Sequence, residues 1–99
     1  MKVLVSNSAI TDLEDIKEYY KEQGASDIGV NFVSAIFAQI ETLSDHPKIG
    51  RIVPEFDDES IREIIHAPFR VVYLIEENTI HVIRVWRNER LLKLPTNET

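Results

Sequence analysis

Residues 69–90 run Phe69-Arg-Val-Val-Tyr-Leu-Ile-Glu-Glu-Asn-Thr-Ile-His-Val-Ile-Arg-Val-Trp-Arg-Asn-Glu-Arg90, two β-rich segments either side of a short polar turn. Such a pattern is satisfied by a hairpin folded on itself. Glu77-Asn78 makes a two-residue turn, because asparagine tolerates positive φ. The turn sets a register with Tyr73 opposite Val82, Val71 opposite Arg84 and Phe69 opposite Trp86. The other face pairs Leu74 with His81, Val72 with Ile83 and Arg70 with Val85. Both faces mix apolar and polar residues. The face of Val72, Leu74, Ile83 and Val85 has the aliphatic centre and is read as the core side. Tyr73, Arg84 and Trp86 then fall on the opposite, partly exposed side.

Upstream the period changes from two to 3.6. A short first strand over 3–5 precedes a helix capped by Ser8 or Thr11, with Thr11-Asp-Leu-Glu14 spaced as a capping box. Ala9, Leu13, Ile16 and Tyr20 recur at helical intervals, leaving Asp12, Asp15 and Glu18 toward water, and Gly24 closes the helix. A second helix begins near Ser26 or Asp27 and runs to about residue 44. Phe32, Ile36, Ile40 and Leu43 form its stripe, widened by Val33 and Phe37; Pro47 stops it. Three residues between the helices imply an antiparallel pair. Residues 50–60, with Pro54 and the run Glu55-Phe-Asp-Asp-Glu59, read as the most mobile connector. Strands follow over 61–66, 69–75 and 80–87, and residues 96–99 read as a terminal tail. The expected class is α+β, ordered β-α-α-β-β-β, with a helical hairpin on a mainly antiparallel sheet. Ninety-nine residues support one such domain, spanning 1–99.

Charge is unevenly distributed. Residues 1–60 carry five Lys/Arg against twelve Asp/Glu, while residues 61–99 carry six against five. A protein that binds nucleic acid through phosphates has a broad basic excess, which an acidic body with one basic end lacks. Non-specific nucleic-acid binding is therefore disfavoured, and a partner with a basic groove or basic arm suits the acidic body. The absence of cysteine rules out disulfides, thiolate nucleophiles and zinc–cysteine sites, and fits a reducing cytoplasm. No apolar run has the length of a signal peptide core or a membrane span.

No residue pattern calls for a metal, nucleotide or other cofactor. His66 and His81 lack a second ligand at metal spacing, His46 reads as a helix-end residue, and Asp57-Asp58-Glu59 as an exposed acidic loop. Tyr19 and Tyr20 read as core and rim of the first helix. The sharper candidates are Arg84, Arg87 and Arg90, three guanidiniums at one strand end beside Trp86. Ion pairs with Glu63 and Glu89 across the sheet are their plainer reading. Arg70, Tyr73 and Arg62 on neighbouring strands extend the candidate recognition surface.

Taken in order, these segments resemble the RelE/ParE superfamily of toxins from bacterial toxin–antitoxin pairs. Ser8-Ala9 with Asp12-Leu13 resembles the opening of the family's first helix, and Tyr19-Tyr20 its close. Leu43, His46-Pro47 and Gly50-Arg51 resemble the end of its second helix. Phe69-Arg-Val-Val-Tyr73 resembles its central strand, and Ile83-Arg-Val-Trp-Arg87 with Arg90 its last. Where the family often has histidine after the last strand, this chain has Arg87, and no tyrosine follows Tyr73.

The resemblance implies two activities. In the ParE-like branch, the chain is a non-enzymatic inhibitor of DNA gyrase, blocking replication and stabilising plasmids. It is neutralised by a ParD-like antitoxin whose C-terminal segment folds around it and whose N-terminal part binds DNA. Arg70, Tyr73, Arg84, Trp86, Arg87 and Arg90 are then the partner-binding residues. In the RelE-like branch it is a ribosome-dependent endoribonuclease, with Arg62, Arg84, Arg87 and Arg90 clamping mRNA phosphate and His66 or His81 as base. Arginine at its ordinary pKa is a poor base, which favours the first branch. A decayed toxin that keeps only antitoxin binding is a third reading.

Overall fold

The computed structural model describes residues 1–87; Arg90 and the tail over 96–99 lie outside them. The order is β1 (Lys2–Val5), α1 (Asn7–Glu22), α2 (Ser26–Thr42), β2 (Arg51–Ile52), β3 (Ile61–His66), β4 (Phe69–Glu76) and β5 (Thr79–Arg87). The sheet runs β1-β5-β4-β3-β2, with β1 parallel to β5 and the other pairs antiparallel. Both helices pack on one face of this α+β sheet. Among the described residues no helix is long and apolar enough to cross a membrane.

The cap of α1 is Ser6, not Ser8 or Thr11. Its Oγ accepts the Ala9 N–H at 3.0 Å and donates to the Ile83 carbonyl at 3.1 Å, while its N–H donates to the Val82 carbonyl at 2.9 Å. One serine thus ends β1 and starts α1, leaving Thr11 and Glu14 inside the helix. Gly24 takes φ +75° at the other end, as a helix stop requires. Gly29 lets the helices approach closely, for a Cβ there would lie 3.0 Å from Tyr20 Cβ. In α2, Ile36 and Ile40 are buried, as is Leu43 just beyond its end, whereas Phe37 is 40% exposed, so the apolar stripe is narrower than expected.

The hairpin departs from the expected register in an informative way. Glu76 pairs with Thr79 around the two-residue turn, though it is Glu77 that takes positive φ, at 44°. Tyr73 opposite Val82 and Leu74 opposite His81 match the expectation. Beyond them a β-bulge places Val72 opposite Arg84, Val71 opposite Val85, Arg70 opposite Trp86 and Phe69 opposite Arg87. In a regular strand Val82 and Val85 would point to opposite faces; the extra residue, Ile83, turns both into the core.

The core face is that of Tyr73 and Val82 and not that of Leu74 and Ile83. Val85 lies in the core as read from sequence, and Val72 is buried though outside the core cluster. Phe69, Val71, Tyr73, Ile80, Val82 and Val85 pack against Ala9, Leu13 and Ile16 of α1 and Ile36, Ile40 and Leu43 at α2. Tyr73 can be fully buried because the turn before β2 receives its hydroxyl. That group donates to the Pro47 carbonyl at 2.8 Å and accepts the Gly50 N–H at 2.9 Å. The connector is likewise anchored: it contains β2, buries Val53, and lays Glu55 against Arg70 on the sheet's outer face.

Candidate functional site

Where α1 passes over the end of β5, a groove of about 580 Å³ opens. Asp12, Asp15, Tyr19 and Tyr20 line it from the helix; Phe69, Arg84, Val85, Trp86 and Arg87 line it from the hairpin. The bulge at Ile83 builds this site, since it sets which way the last residues of β5 point.

One carboxylate organises the groove. Asp12 Oδ2 accepts Arg84 Nε at 2.8 Å and Oδ1 accepts Nη2 at 2.9 Å, a two-pronged pair. Oδ2 also accepts the Val85 N–H at 2.8 Å. Because β1 pairs β5 only as far as Val82, Ser6 and Asp12 serve the next edge groups in place of a strand. The hydrogen bond to Asp12 raises the Arg84 pKa above the ordinary arginine value. Arg84 also lies over Trp86, its guanidinium carbon 5.3 Å from the ring centroid. Arg87 stands over Phe69 at 5.5 Å and Tyr19 at 6.0 Å, and Tyr19 meets Tyr20 edge-on at 5.0 Å.

The other predicted residues do not line the groove, though the Arg70 guanidinium carbon lies 6.0 Å from the Trp86 ring centroid. Arg70 is 2% exposed, so it belongs to the interior and not to an accessible recognition surface. Its guanidinium bonds Glu63, itself buried, and reaches both oxygens of Glu55 at 3.2 Å. Arg51 completes that network through Glu63 Oε2 at 2.6 Å. Glu55 is held below the usual carboxylate range, first by a backbone hydrogen bond and then by Arg70. Tyr73 is wholly buried in the core, and burial pushes its phenol upward. Arg62 donates to the carbonyls of Glu59 at 2.9 Å and Gly50 at 3.0 Å, at the far side of the sheet.

Neither His66 nor His81 lines the groove. His66 Nδ1 lies 3.0 Å from the Gln39 amide nitrogen, its ring edge-on to Phe32; His81 contacts Glu76 near the hairpin turn. Asp58 caps its own loop by accepting the N–H and hydroxyl of Ser60, which lowers its pKa. Among the described residues no three His, Cys, Asp or Glu side chains gather to hold a metal. The sequence reading thus found Arg84, Trp86 and Arg87 together. It missed Asp12, Asp15, Tyr19 and Tyr20 as their partners, because facing α1 to β5 requires the tertiary arrangement; Phe69, read opposite Trp86, stands opposite Arg87 instead. It also gave Glu63 to the wrong arginines.

Comparison with known proteins agrees with this architecture. The family model described as the ParE toxin of the type II toxin–antitoxin system, parDE, matches residues 3–92. Among solved structures, the chromosomal ParDE toxin–antitoxin system from P. aeruginosa aligns with a TM-score of 0.74 at 20% identity. The alignment covers 88% of this chain and 95% of that one, a likeness of fold. The solution structure of the conserved hypothetical protein HP0894 from Helicobacter pylori aligns at 0.45 and 18% identity, covering 90% and 96%. No curated protein sequence matches the chain.

Proposed function

The chain belongs to the ParE toxin family of type II toxin–antitoxin systems, and on that footing we propose that it inhibits DNA gyrase and so arrests replication. Residues 1–99 form one toxin domain acting in the cytoplasm. A cognate antitoxin of the ParD kind neutralises it, reaches DNA on behalf of the pair, and makes the pair a device for plasmid stabilisation. Arg84, Trp86 and Arg87 at the α1–β5 groove are the partner-binding residues, together with Arg90, which lies outside the described residues.

The observation that carries this reading is the engagement of the arginines. Arg84 is matched by Asp12, Arg70 by Glu63 and Glu55, Arg51 by Glu63, and Arg62 by two carbonyls. A clamp for mRNA phosphate needs guanidiniums directed at an incoming anion. Of the clamp arginines, Arg62 and Arg84 are directed at the protein's own acceptors and Arg87 lies over aromatic rings, an arrangement that suits recognition of a protein.

Purified chain should inhibit supercoiling by purified gyrase and be relieved by the antitoxin, while mRNA on translating ribosomes stays intact. Cleaved mRNA with unaffected gyrase would instead assign the ribonuclease activity of the RelE branch.

A further inference from the structure

We propose that Asp12 is a specificity-determining residue: by engaging Arg84 it keeps the basic end of the sheet from binding nucleic acid and leaves it to protein partners. A guanidinium fork fits a phosphate as well as it fits a carboxylate. Arg84 is 42% exposed in its side chain, so its location alone would let it reach a phosphate. It also lies 5.3 Å over the Trp86 ring. An exposed guanidinium beside an aromatic face is the combination that holds single-stranded nucleic acid, through phosphate contact and base stacking.

Asp12 cancels that combination. Its two oxygens take Nε and Nη2 of Arg84, so an incoming phosphate must displace a carboxylate already in the fork geometry. The carboxylate is 12% exposed and also accepts the Val85 N–H, which would lose its partner if Asp12 swung away. Rejection of a wrong partner by a built-in competitor is a direct route to specificity. The inference goes beyond the toxin reading and does not depend on which target is inhibited.

The test uses the full chain and a short single-stranded RNA of mixed sequence, followed by fluorescence anisotropy. Asp12→Asn removes the charge but keeps an oxygen for the Val85 N–H. It should bind roughly tenfold more tightly at low salt, with a log–log salt slope steeper by about 0.7, as one added phosphate contact requires. Glu41→Gln, an equal change of net charge on α2, should not reproduce the gain, and Asp12→Asn combined with Arg84→Gln should abolish it. A gain no larger than that of Glu41→Gln, or one that survives loss of Arg84, would overturn the proposal. Should Asp12→Asn fail to fold, the unmodified chain decides: inorganic phosphate should leave the Arg84 Nε–H NMR signal unmoved, and a shift would refute the inference. Neither readout involves gyrase or an antitoxin, so failure here leaves the toxin reading standing.

Discussion

At the scale of the residue, burial decides what each charged or aromatic side chain can do. Arg70 has the chemistry of a recognition residue, yet it is interior and matched by Glu63 and Glu55. Removing Glu63 would leave the buried Arg70 charge with only the half-exposed Glu55. Glu63→Ala is therefore expected to cost about 3–5 kcal/mol, read as a lower urea midpoint at unchanged slope. Gly50 is constrained differently: a Cβ would lie 2.6 Å from the Glu63 carbonyl and 2.8 Å from the Tyr73 hydroxyl. Gly50→Ala must displace that hydrogen-bonded tyrosine and should cost about 1–3 kcal/mol by the same measurement. Glu55 supplies a pH signature. Its pKa is depressed in the folded state, so its contribution is present above the ordinary value of 4.5 and lost as pH falls through the folded value. The stability difference between the natural chain and Glu55→Gln should appear at about pH 6 and vanish in acid below the folded pKa. A difference that persists in acid would mean that the latch is not electrostatic.

At the scale of the element, the sequence was legible wherever pattern alone specifies structure. Both helices, the three long strands and the helix stop at Gly24 follow from periodicity and turn chemistry; the two-residue turn lies where expected, although Glu77 and not Asn78 takes the positive φ. What it could not yield were features set by partners distant in the chain. The bulge at Ile83 has no local signature; it arises because Val82 and Val85, three residues apart, are both apolar and both needed in one core. Missing it displaced every pairing beyond Tyr73 by one residue. The core face was misjudged for a related reason. Tyr73 looks polar until the Pro47–Gly50 turn provides partners for its hydroxyl, whereas Val72 is buried as read but on the other face, beside Glu63 and Arg70. The cap passed to Ser6 because that residue also closes β1 against β5. The bulge can be tested directly. Deleting Ile83 would remove the extra residue and restore a regular ladder, leaving Val85 two positions after Val82 and still in the core. The deletion variant should therefore keep the Tyr73–Val82 and Val71–Val85 pairings, read from cross-strand NOEs; loss of Val85 from the core would contradict this account of the strand.

At the scale of the whole molecule, an acidic body presents one groove where aromatic rings and two arginines meet the carboxylates of α1. The partner-recognition role assigned to that groove has an optical signature, because Trp86 is the chain's single tryptophan. Adding the antitoxin's C-terminal segment should shift its emission; an unchanged spectrum would place the interface elsewhere. The central claim, that this ParE-family chain arrests replication, is met most directly by inducing it in cells lacking the antitoxin. DNA synthesis and protein synthesis would be followed separately over the first minutes. The account predicts that DNA synthesis falls first, with induction of the damage response, while translation continues. An early fall in translation with DNA synthesis still running would contradict it.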